Sequence, residues 1–82
     1  MSSEWENFVT KTRSSIIGQL NSANSLYDIV NDLTDTAEDI PPEYLALKTR
    51  LQEEAIKLYK EASNISDNAS AIGKELANLV SK

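Results

Sequence analysis

The chain has 82 residues, 40% of them apolar and 26% charged, with two glycines, two prolines and neither cysteine nor histidine. A domain this small buries only about 60% of its unfolded surface, and without thiols or imidazoles it has no disulfide framework, no Cys/His metal site and none of the commonest catalytic bases and nucleophiles. Thirteen acids against eight bases leave a net charge of −5, which repels nucleic-acid phosphate and anionic lipid.

Ser3 followed by Glu6 matches a capping box, and Trp5 and Phe8 open an apolar pattern directly behind it. The N-terminus shows neither a basic n-region nor an apolar h-region. No run approaches the roughly 18 apolar residues of a membrane span. The expectation is a soluble protein, cytoplasmic on synthesis, with no Sec-type signal.

The first helix is expected over about 4–37. One line of its seam reads Val9, Ile16, Ala23, Val30, Ala37 and the other Trp5, Thr12, Gln19, Leu26, Leu33, with Leu20 and Tyr27 widening the stripe. Phe8, Ile17 and Ile29 lie off that line, so this helix carries more apolar surface than one narrow partner covers. The polar stretch Asn21–Ser25 competes for backbone hydrogen bonds, and Ser25 with Asp28 offers a cap for a fresh helix. The seven-residue period nevertheless passes through it in phase, which favours continuity.

A corner is expected at 38–42. Each proline of Ile40-Pro41-Pro42 disfavours the helical conformation of the residue before it, so Ile40 and Pro41 should be extended, with Pro42 at the first helical position and Glu43 in the first turn. Asp28, Asp32, Asp35, Glu38, Asp39 and Glu43 form an acidic run uninterrupted by any base. It is either a solvated tip or a docking patch for a basic partner; its spacing fits no calcium loop.

The second helix is expected over about 43–81. Tyr44, Leu51, Leu58, Ile65, Ile72 and Leu79 recur every seventh residue, with Ala55, Ala62, Ala69 and Leu76 interleaved. Alanine at alternate sites of a seam requires another helix to approach closely. Ser63–Asn68 is a second polar stretch through which the period persists. Arg50–Glu54, Glu53–Lys57 and Lys57–Glu61 are i,i+4 pairs worth about 0.2–0.5 kcal/mol each, and this mixed charge argues against a nucleic-acid stripe.

Folding the helices about residue 40 sets Leu26 near Ala55, Ala23 near Leu58, Ile16 near Ile65 and Val9 near Ile72, with the two polar stretches facing each other in a hydrated waist. Gly73 is then either a socket for Phe8 or Trp5 or a glycine merely tolerated near a helix end.

The fold class expected is therefore all-α: a single domain, an antiparallel, coiled-coil-like two-helix hairpin that completes its core by oligomerisation or partner binding. No catalytic, cofactor-binding or metal-binding residue is identified, and no cofactor is expected. The function expected is a non-enzymatic protein–protein interaction module, a self-assembling structural or adaptor subunit of bacterial or phage origin, with no nucleic-acid partner. Interface candidates are Trp5, Phe8, Ile17, Tyr27, Ile29, Ile56 and Tyr59: tryptophan and tyrosine anchor interfaces, Trp5 is too near a terminus for one antiparallel neighbour to cover, Phe8, Ile17 and Ile29 lie off the seam line, and Ile56 and Tyr59 project beside the seam of the second helix. The alternative is a small acidic inhibitor or immunity-type protein whose corner meets a basic protein surface.

Early Trp5, the turn at Pro41-Pro42 and Leu58-Tyr59-Lys60-Glu61-Ala62 on the second helix make the chain similar to the needle subunits of type III secretion systems, which are helical hairpins that polymerise. The spaced P-x-x-P turn and the apolar C-terminal end usual there are missing. Leu26-Tyr27-Asp28-Ile29-Val30-Asn31-Asp32 beside an acidic corner resembles bacteriocin immunity proteins, which are antiparallel bundles. Ala23-Asn24-Ser25-Leu26 with Ile40-Pro41 resembles the helix-two region of acyl carrier proteins. Asn24 replaces the aspartate before the modified serine, and the position is too early.

Overall fold

The structure, a computed structural model, describes residues 3–81. Helix α1 runs from Ser3 to Asp39, a 3-10 turn spans Pro42–Tyr44, and helix α2 runs from Leu45 to Val80. The two long helices pack antiparallel into a hairpin whose dimensions are 66 × 16 × 13 Å. No strand occurs among the described residues.

Both helices pass through their polar stretches without a break. Ala23 and Ala62, 1% and 0% exposed, sit on the seam within or beside those stretches. Seam burial therefore outweighs the local competition of the Asn and Ser side chains, none of which is fully buried. The waist is apolar at its centre, and on one flank Ser15, Gly18, Gln19, Ser22, Ile65 and Asn68 line a shallow depression.

The ends differ from the sequence expectation. Ser3 is already helical, so it stands inside the first turn rather than at the cap. At the corner Pro41 is extended, with φ −59° and ψ 149°, and Pro42 takes the first position of the 3-10 turn, closed by the Tyr44 N–H donating to the Pro41 carbonyl at 3.0 Å. Tyr44 then leaves the helical region, at φ −105° and ψ 45°, so α2 starts at Leu45 instead of 43.

With α1 running on to Asp39 instead of 37 and α2 starting at Leu45 instead of 43, the corner is no longer than expected but lies two residues later, and this shifts the register. Tyr27 meets Tyr59, a pair symmetric about residue 43, and the atom nearest to Gly73's open side is Cδ1 of Ile16. Hence Leu26 does not face Ala55, Ile16 does not face Ile65, and Gly73 holds neither Phe8 nor Trp5. Val30 and Ala55 instead line one groove.

Among the described residues the buried ones are Val9, Ala23, Ala37, Ala55, Ala62, Ala69 and Leu76, and none of them is larger than leucine. An alanine knob is one methyl group, so close packing around it demands that the partner backbone come near. Leu51, Leu58, Ile65 and Ile72 cover this alanine line from one side and stay half-exposed, while Tyr44 and Leu79, the ends of the seven-residue series, are exposed.

Candidate interaction surface

The apolar surface of the hairpin is divided between its two flanks, its open end and its corner. On one flank the rings of Tyr27 and Tyr59 meet edge-on, their centroids 5.6 Å apart. Ile56 lies three residues before Tyr59, one turn along α2; Leu20 lies seven before Tyr27 and Ile17 three before Leu20, on one stripe of α1. Ile17, Leu20, Tyr27, Ile56 and Tyr59 thus form one belt, which may be called the tyrosine flank. Ile17, Leu20, Ile56 and Tyr59 are exposed, whereas Tyr27 is half-buried. A groove of about 600 Å³ runs beside the belt, lined by Val30, Thr34, Gln52, Ala55, Ile56 and Tyr59 together with the stem of Lys60.

Phe8 and Ile29 occupy the other flank of α1, twenty-one residues or three heptads apart. At the open end Trp5 and Phe8 stack edge to face, 4.9 Å between centroids and 82° between planes. The structure therefore places Ile17, Tyr27, Ile56 and Tyr59 on one flank, with Tyr27 and Tyr59 in contact, and leaves Trp5, Phe8 and Ile29 apart from them.

Large apolar side chains that are exposed but were not singled out from the sequence are Leu20, Tyr44, Leu45, Leu47, Leu79 and Val80. Leu20 was legible as the neighbour of Tyr27 on a heptad stripe. Tyr44 was not, because the seven-residue series places it in a helical seam whose first turn the corner unwinds.

All six carboxylates of the acidic corner are exposed. Among the described residues no group of three or more acidic side chains comes together to hold a metal ion. No helix among them is long and apolar enough to cross a membrane. No protein-family model, curated protein or solved structure matches the chain.

Proposed function

We propose that the protein is a self-assembling helical-hairpin subunit that acts by binding protein, structural or adaptor in role and without chemistry of its own. The observation that carries this reading is an imbalance. Among the described residues seven are buried and none exceeds leucine in size, while twelve large apolar side chains, among them Ile17 and Ile56 at 58% each, face outward. A two-helix rod with a methyl-lined seam gains little from burial against the conformational entropy of ordering more than seventy residues. Covering the outer apolar surface with protein supplies the missing burial. The non-catalytic part of the proposal rests on the residue inventory, which offers no histidine or cysteine.

Light scattering across a concentration series tests it. The expected result is a mass that rises with concentration and changes little between low and high salt, as for an interface driven by apolar burial. A monomer at every concentration, or a complex with a basic protein that dissolves as salt is raised, would instead support the acidic-inhibitor reading.

A further inference from the structure

We infer that the tyrosine flank is the contact between two copies of this chain, and that the copies lie head to tail, the corner of one beside the open end of the other; this rests on the self-assembly proposed above. Charge separates the two flanks. On α2 the tyrosine flank follows the uncharged stripe Thr49, Gln52, Ile56, Tyr59, Ser63, Ser66, Ser70 and Ala77, with Lys60 at the edge of its groove, and on α1 it has no charged side chain between Arg13 and Glu38. The opposite flank carries Lys11, Asp32, Glu54, Lys57, Glu61 and Glu75. Depletion of charge with enrichment of tyrosine marks the centre of protein interfaces.

The apolar belt occupies the central third of the rod, so a twofold axis across the middle lays belt on belt, as an isologous dimer requires. Ser63 stands at the midpoint of α2. Head to tail, α2 of one copy follows α2 of the other in reverse. Tyr59 then meets the second copy's Ser66 and Ile56 its Ser70, each large side chain against a small one. The other isologous arrangement, corner beside corner, also superposes the belts, and charge decides between them. Residues 22–62, the corner half, hold nine acids and four bases, whereas the remainder holds four of each. Corner beside corner would juxtapose two halves that carry the whole net charge; head to tail sets each against a neutral half and brings Arg13 toward the second copy's acidic corner.

The chain has no cysteine, so one introduced thiol reports on geometry. Oxidised Ser63→Cys should give a disulfide-linked dimer at least about ten-fold faster than Ser22→Cys, mid-rod on the opposite flank, because proximity sets the effective concentration. A disulfide needs Cα atoms about 4.4–6.8 Å apart. In the corner-to-corner dimer the two Ser63 positions would stand about a helix diameter apart, ~10 Å, and crosslinking would require mixing Ser63→Cys with Asn24→Cys. Crosslinking only in that mixture overturns the orientation. Faster crosslinking at Ser22→Cys overturns the choice of flank. Both results leave self-assembly standing, whereas a monomeric mass for the unsubstituted chain overturns self-assembly itself.

Discussion

Ala62 and Ala69 have no exposed surface at all, and what they contribute is less the burial of a methyl group than the distance it permits. The helices can close on each other only because nothing larger stands there. Ala62→Leu should therefore lower stability by about 1–3 kcal/mol through overpacking, a fall in Tm of roughly 4–8 °C per kcal/mol for a chain of this size, read by circular dichroism at fixed protein concentration. An unchanged Tm would mean that the seam has slack. The glycines behave differently. A methyl added at Gly18 meets nothing within 4 Å, and one at Gly73 meets Cδ1 of Ile16 at 4.0 Å, an ordinary contact. Gly18→Ala, in the interior of α1, should stabilise by about 0.5–1 kcal/mol by restricting the unfolded chain and raising helix propensity. A drop in Tm would show that the position is needed small for a reason outside the isolated hairpin.

At the scale of the elements, the corner sets what the helices can do. Pro41 sits at φ −59°, the value its ring imposes, and its carbonyl accepts the hydrogen bond that closes the 3-10 turn. Pro41→Ala should cost about 0.4–1 kcal/mol, mainly by giving the unfolded chain more conformations to lose, visible as a lower urea midpoint with an unchanged slope. An altered slope would show instead that the surface exposed on unfolding had changed. The two helices, their antiparallel packing and the buried alanine line were legible in the sequence, since a seven-residue apolar period carries both helix type and buried face. Which residue faces which was not. Register depends on where the turn is centred, and Ile40-Pro41-Pro42 announces a turn without stating that α1 runs on to Asp39 and that Tyr44 falls outside α2. Moving the centre of pairing from residue 40 to residue 43 displaces every facing pair by more than a turn, which is why Gly73 meets Ile16 rather than an aromatic ring. The polar stretches were legible as competitors of the helix, and their continuity follows from Ala23 and Ile65 holding the seam through them.

At the scale of the molecule, a 66 Å rod only two helices thick has nearly all of its side chains at or near the surface, so its association is governed by which stripes are charged. The sequence shows that helix one has surplus apolar residues. It does not show that Ile17 and Tyr27 share a flank with Ile56 and Tyr59 while Phe8 and Ile29 take the other, because that division depends on the packed register. The division predicts opposite behaviour for two aspartates. Ile17 is 58% exposed in the hairpin, so Ile17→Asp costs the single copy little. In an assembly that covers the tyrosine flank, the same carboxylate is buried without a partner, at a cost of several kcal/mol. Leu58 lies on the seam, half-buried, and Leu58→Asp strikes the contact between the helices themselves. Sedimentation combined with far-ultraviolet dichroism should therefore find Ile17→Asp reduced in assembly mass with most helix retained, and Leu58→Asp reduced in helix content. If Ile17→Asp loses the more helix of the two, Ile17 belongs to the fold of one copy and the tyrosine flank is not where copies meet.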